Sequence, residues 1–478
     1  MTGSSADPVD PPVPVTAFER RFGHPLGLVV LFFTEMWERF SYYGMRGLLK
    51  LYMANYLFVS AREALQGCKN PEPPTLPCAL VHGDPSTVFF WNTVGPLLPQ
   101  NPAEAASVVY GNYIALVYAT PFIGGIIADR DFGQRKMVLI GGLLMAAGHF
   151  VMAIENSFFI ALSLLILGNG AFKPNVSTQV GNLYRPGDSR RDGAFTIFYM
   201  GINLGAFLCN LVCGTLAALY GWHYGFAAAG VGMLLGLVVY VAGRKHLGPE
   251  IIARKEREQV AHAPLTAAEK RRSLALVMIF ALTVLFWAVY EQQGNTMQSW
   301  ADEHTRWPRL FGFQIPSTWY QSFNPLVIIL AAPLLDSLWR AQAARGKEPS
   351  TVGKMALGCF LLGSSFIVMV FGAQVVGSGK GSPFWPLFCT ALLSVGELYL
   401  SPIGLSLVSK AAPLRIVSMM MGLWFAASFI GNGLSGYIGI FYTRWPKEAF
   451  FTLLCVLGVG AGLAMLSLKK PLSAAIEK

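Results

Sequence analysis

Twelve times along this chain a stretch of about twenty or more residues is predominantly apolar, the length a helix needs to cross a bilayer, and no other feature constrains the fold as much. The stretches fall at about 26–58, 105–128, 136–155, 157–180, 193–219, 222–243, 273–298, 318–339, 353–377, 384–411, 416–441 and 447–468. Charged residues make up 13% of the chain, against about 25% in a soluble protein, and 54% of it is hydrophobic. The class that follows is an all-α membrane protein of twelve transmembrane helices.

The lysines and arginines orient those spans. With both termini and alternate loops on one side, 25 of the 36 bases fall on that side, 7 on the other and 4 inside spans. By the positive-inside rule both termini are cytoplasmic, so the net charge of +10 is a topology signal rather than a nucleic-acid footprint. The first 25 residues are polar and proline-rich and lack the apolar region and small-residue cleavage site of a signal peptide, so the first span is expected to direct insertion itself.

A charged interruption over residues 244–272 has no apolar run long enough to cross. It divides the chain into a cytoplasmic tail (1–25), a six-helix bundle (26–243), a cytoplasmic linker (244–272), a second six-helix bundle (273–469) and a cytoplasmic tail (470–478). A weak repeat supports the division. The second span ends Gly124-Gly125-Ile-Ile-Ala-Asp129-Arg130-Asp131 and the eighth ends Ala332-Pro-Leu-Leu-Asp336-Ser-Leu-Trp-Arg340, each with an acid four residues after a small one. Of the seven cysteines, Cys68 and Cys78 share an exported loop, where a disulfide is chemically possible and two unpaired small side chains are the alternative. Cys209, Cys213, Cys359, Cys389 and Cys455 lie in apolar spans as small hydrophobes; the Cys209/Cys213 spacing could place two ligands on one face, but with no histidine or third cysteine close by in sequence no metal site is expected there.

Charge inside the spans carries the chemistry. At about 100° per residue, Glu35, Glu38, Arg39, Tyr42 and Arg46 share one face of the first span, with Tyr43 at its edge. An ionisable group at the bilayer centre costs about 3 kcal/mol on insertion scales, so it faces a protein interior or a water-filled path and has partners. Further groups follow: Lys173 before Pro174 in the fourth span, Asn203 in the fifth, Glu291 in the seventh and Glu397 with Ser401-Pro402 in the tenth. The acids Glu35, Glu38, Glu291 and Glu397 outnumber the bases Arg39, Arg46 and Lys173 by one, and a surplus buried carboxylate is a natural proton carrier. The alternative is a set of static ion pairs between helices, but such pairs seldom repay their desolvation.

Five motifs in register, Glu35-x-x-Glu38-Arg39-Phe40-x-Tyr42-Tyr43-Gly44, the loop after the second span, Gly170-x-Phe172-Lys173-Pro174-Asn175, Phe198-Tyr199-x-x-Ile202-Asn203-x-Gly205 and Glu397-x-x-x-Ser401-Pro402, resemble the proton-dependent oligopeptide transporter family of the major facilitator superfamily across essentially the whole chain. The resemblance implies a symporter, not an enzyme, that uses the proton gradient without cofactor or ATP to import di- and tripeptides, functions as a monomer and sits in a bacterial inner membrane. It implies that Arg46 and Lys173, with Tyr42 and Tyr43 nearby, bind the peptide carboxylate. Glu397, helped by Asn203, Asn324 and Ser401, would bind the ammonium, and Tyr118, Trp287 and Trp424 would line side-chain pockets. Glu35, Glu38, Arg39 and Glu291 would handle the proton, and the pairs Arg46–Glu291 and Lys173–Glu397 would gate the cavity. The histidine that animal members carry in the second span falls at about Gly111, so coupling is expected to rest on carboxylates. A related carrier with another cargo, such as nitrate or another small organic solute, and a transporter-like membrane sensor are the rival readings.

Overall fold

The computed structural model describes residues 17–59, 97–128, 133–153, 157–184, 188, 190–247, 266–413 and 416–470. Twelve long helices run through them: α1 (Leu26–Tyr52), α2 (Pro102–Ile127), α3 (Gln134–Met152), α4 (Phe158–Asn182), α5 (Arg190–Tyr220), α6 (Trp222–Gly243), α7 (Ala267–Tyr290), α8 (Phe323–Ala344), α9 (Thr351–Val376), α10 (Phe384–Ala411), α11 (Val417–Ile438) and α12 (Lys447–Ser467). Ten of these segments are long and apolar enough to cross a membrane. To them are added α11, with 22 residues, and α1, which carries Glu35, Glu38, Arg39, Arg46 and Lys50 along its length. The chain is a multi-pass membrane protein. Cys68, Cys78, Asp129, Arg130, Asp131 and linker residues 248–265 lie outside the described residues.

Local chemistry sets the helix ends. Asn101 caps α2 by accepting from Ala103 N, with Pro102 at the first helical position, where its missing N–H costs nothing. Thr266 and Glu269 form a capping box at α7, and Ser350 accepts from Gly353 N at α9. Prolines sit inside α2, α4, α8 and α10 (Pro121, Pro174, Pro333 and Pro402), tolerated where neighbouring helices satisfy the backbone groups they free.

The buried apolar residues form two main clusters, one drawn from residues 28–247 and the other from 275–465. Helix pairing repeats between them. In the first half α1 packs on α5 and α6, α3 on α4 and α6, and α2 on α4; in the second, α7 packs on α11 and α12, α9 on α10 and α12, and α8 on α10. The two halves are therefore copies of one six-helix bundle, as parallel repeats in transporters are. Reciprocal glycines mark equivalent crossings: a Cβ on Gly141 would stand 2.6 Å from Gly168 O, and one on Gly358 2.7 Å from Gly396 O. Without a hydrophobic force between helices in lipid, small residues let backbones approach closely enough for dispersion to hold them.

The bundles meet along α2 with α11 and along α5 with α8, a pair of contacts that the same symmetry exchanges. At the first of them a Cβ on Gly111 would lie 2.6 Å from Gly436 N and 2.7 Å from its Cα. Polar bonds tie the same junction at the end that bears the α1–α2 connection. Arg444 grips Glu104 with Nε at 3.1 Å from each carboxylate oxygen and Nη2 at 2.6 Å, and Thr443 donates to the same carboxylate at 2.8 Å. Trp319 Nε1 donates to Thr215 Oγ1 (3.0 Å), Ser322 Oγ to Phe207 O (2.6 Å) and Asn55 Nδ2 to Asp302 Oδ2 (3.3 Å). Lys50, 2% exposed, donates to Ala103 O and Ser107 Oγ beside the Glu104 contact.

Two departures from the sequence reading lie after α7. That helix gives way at Glu291–Gln293 to a 3-10 turn and resumes as a short helix over Thr296–Glu303. Side chains replace part of the lost ladder: Gln292 Nε2 donates to Ala288 O and Ser435 O, and Asn295 Nδ2 also donates to Ser435 O. Beyond it, strands β1 (Arg309–Leu310) and β2 (Phe313–Gln314) pair antiparallel around Phe311-Gly312, both at positive φ as a tight hairpin turn requires.

Candidate functional site

The charged face of α1 divides into two parts. In the part nearer the start of the helix, Arg39 Nε lies 3.2 Å from Glu35 Oε1, and the guanidinium also grips both oxygens of Glu38, with Nη2 to Glu38 Oε1 at 2.7 Å. Asn169 Nδ2 of α4 reaches the same Glu38 oxygen at 3.5 Å. All three charged groups are buried. The guanidinium also lies over Tyr42 and Tyr43, 5.2 and 5.9 Å from the ring centroids. Lys173 stands within electrostatic reach of Glu35, Glu38 and Arg39, with its ammonium 4.8 Å over the Tyr118 ring.

Two turns on, Arg46 leaves its own bundle. Its Nη2 pairs with Glu291 Oε2 on α7, while Nε donates to Tyr110 Oη on α2 at 2.8 Å. Glu291 is the residue at which α7 passes into the 3-10 turn: its N–H still bonds Trp287 O, and its carboxylate projects from the start of the turn. Gly294 closes that turn against the pair: a Cβ there would meet Tyr110 Oη at 2.0 Å and Arg46 Nη2 at 3.2 Å.

Glu397, half-buried on α10, accepts from Tyr290 Oη at 2.6 Å and from Asn324 Nδ2 at 3.4 Å, both at Oε2. Asn324 also donates to Ser394 Oγ at 2.8 Å. Tyr43 links the two ends of this arrangement, being within electrostatic reach of Arg39, Arg46, Glu291 and Glu397.

The structure does not bring Lys173 and Glu397 into an ion pair. The physical reason is that each is engaged within its own bundle, Lys173 beside Tyr118 and the α1 acids, Glu397 under Tyr290 and Asn324. Trp424 also departs from the expectation that it lines an open pocket: it is 2% exposed, edge-on to Phe280 at 5.7 Å and packed against Gly404. Trp287 and Tyr42 are buried too, their indole N–H and hydroxyl without partners among the described residues. Asn203 donates to Tyr199 O within its own helix. The partly open members are Tyr43, Arg46, Tyr118, Lys173, Glu397 and Ser401. Tyr110 and Tyr290 complete the arrangement, and the sequence does not single them out, because a tyrosine in an apolar helix gives no sign of what its hydroxyl meets. The two cysteines of α5 are packing groups, with Cys213 Sγ 2.7 Å from where a Cβ on Gly44 would lie.

Two copies of one helical bundle, joined at a face and holding opposed ionisable groups between them, define a secondary transporter of the major facilitator fold. A profile described as POT family matches residues 135–273 and 250–453. The chain is 34% identical to the uncharacterized transporter YclF of Bacillus subtilis, with 95% of this chain and 96% of that one covered. It is 32% identical to a di-/tripeptide transporter of Lactococcus lactis, over 94% and 96% of the two chains. The crystal structure of a peptide transporter POT in complex with sulfate superposes with a TM-score of 0.80 at 33% identity, covering 98% of each chain. This chain belongs to the POT family.

Proposed function

We propose that this protein is a proton-coupled symporter that imports di- and tripeptides by alternating access. The observation that carries the reading is the distribution of charge over two bundles: Arg46 and Lys173, partly open, on the first, and Glu397, partly open, on the second. A short peptide is a zwitterion whose ends are fixed and whose side chains vary, so a tolerant carrier should hold the ends with charge and the sides loosely. Charge-assisted bonds are about twice as strong as neutral ones, and bonds to both ends draw the bundles together. The relatives named as di-/tripeptide transporter and peptide transporter support that cargo.

The gate is the pair Arg46–Glu291. A proton on Glu291 removes the charge that holds Arg46; the arginine then turns to the peptide carboxylate, and the junction between α1 and α7 loosens. Glu35, Glu38 and Arg39 stand next to Lys173 and relay or tune that proton. With the α1–α2 connection outside, as the distribution of basic residues favours, the bonds at Glu104, Thr215, Phe207 and Asp302 close the outer end. The protein then works as a monomer in a bacterial inner membrane, with both termini cytoplasmic, no cofactor and the proton gradient as its energy source.

The test is uptake of labelled dialanine and trialanine into liposomes bearing the purified protein, with an acid exterior, with and without an uncoupler. Accumulation that collapses with the uncoupler is expected. No uptake of either peptide points to another cargo, and uptake indifferent to the uncoupler rejects proton coupling.

A further inference from the structure

We propose that Tyr290 is a positioning residue that presents Glu397 to the peptide ammonium and ties that site to the Arg46–Glu291 pair, an inference that rests on the peptide reading above. The carboxylate is held at one oxygen only. Tyr290 Oη donates to Glu397 Oε2 at 2.6 Å, and Asn324 Nδ2 approaches the same atom at 3.4 Å. Oε1 has no partner among the described residues and belongs to a half-buried side chain, so it is the oxygen left free to accept from a ligand. An ammonium with three N–H donors needs such an acceptor held still.

The tyrosine ring cannot adjust independently of its helix. It stacks on Phe286 with centroids 5.9 Å apart and planes 12° apart, and meets Trp287 edge-on at 5.5 Å. Its hydroxyl therefore follows the α7 backbone. Tyr290 is the last residue of that helix, and Glu291, the next, opens the 3-10 turn and reaches across to Arg46. Consecutive helical residues diverge by about 100°, so one peptide unit sends a bond to α10 in its own bundle and an ion pair to α1 in the other. Rotation of the turn when the Arg46 pair opens moves the hydroxyl and frees the Glu397 carboxylate to swing. Binding and gating are thereby joined through a neutral side chain.

The experiment uses the full chain in liposomes, wild type beside Tyr290→Phe, with labelled dialanine competed by unlabelled dialanine and by N-acetyl-dialanine, which has no ammonium. Loss of a bond to a charged group predicts an apparent KM for dialanine raised about tenfold, with competition by the acetylated peptide unchanged. Discrimination between the two ligands then falls by the same factor. A merely structural role weakens both ligands alike, and that result, or unaltered discrimination, overturns the proposal. In a double-mutant cycle with Glu291→Gln the effects on dialanine KM should fall short of multiplying; full multiplication severs the link to the gate. Wild-type protein that takes up no dialanine instead removes the peptide reading itself.

Discussion

Replacing Gly111 by alanine should pry the two bundles apart at the end they now close. The added methyl would stand 2.6 Å from Gly436 N, 2.7 Å from Gly436 Cα and 2.9 Å from Asn432 O. Carbon contacts become favourable only near about 3.5 Å, so the helices must separate by roughly 1 Å there. All three atoms are backbone, with no flexible side chain to yield. Overpacking of this kind costs about 1–3 kcal/mol, and because the crossing exists only while this face is closed, the cost falls on that state alone. The closed-to-open ratio should drop by about 5- to 150-fold. Spin labels at Tyr220 and Trp445, exposed near that face on opposite bundles, read the change as a longer inter-label distance in pulsed electron resonance. Gly460→Ala, where a Cβ meets nothing within 4 Å, is the control and should leave the distances alone. A Gly111→Ala protein with the wild-type distance distribution refutes the argument. By the same geometry Gly111→His should act as a wedge and not as a proton switch.

Glu291→Gln should abolish proton-driven accumulation while peptide exchange persists; normal uphill uptake by it removes Glu291 from the gate. Arg39→Ala leaves Glu35 and Glu38 buried without their shared guanidinium, so coupled uptake should be lost and thermal stability lowered, whereas full coupling excludes this cluster from the proton path. At the outer junction, Arg444→Ala strands the nearly buried Glu104 carboxylate, but Glu104→Gln releases an arginine already half in solvent. The melting temperature should therefore fall further for Arg444→Ala, and equal falls would show that desolvation of Glu104 does not matter.

The spans were legible in the sequence because each must satisfy one length and one polarity; charge inside lipid-length helices showed that Arg46 and Glu291 need partners, and it was the family resemblance that matched them to each other. Pairing partners beyond that depend on depth and rotation, which periodicity within one helix does not fix between helices. Lys173 and Glu397 illustrate this: both are inward-facing, but each has nearer company in its own bundle. The break in α7 carries no proline. Its only marks are the polar run Glu291-Gln292-Gln293 and Gly294, and what makes it a turn is the acceptor offered by Ser435 on α11, a tertiary fact. Lys50 is one base among four inside spans, and its burial follows from the nearness of Ala103 and Ser107, 53 and 57 residues away along the chain but adjacent in the fold.

The uneven number of charges in the site has an electrical consequence. Glu35, Glu38, Glu291 and Glu397 against Arg39, Arg46 and Lys173 leave the empty, fully ionised site one negative charge in excess, with Lys50 set apart beside Ala103 and Ser107 at the junction of the bundles, whereas one proton and a zwitterionic peptide bring the loaded site to neutrality. A charge that traverses the whole membrane field exchanges about 2.3 kcal/mol per 100 mV with it. With the cell interior negative, the field would assist the empty site in returning outward and would leave the loaded step untouched. The membrane potential would then act as a restoring spring on the half of the cycle that carries no cargo.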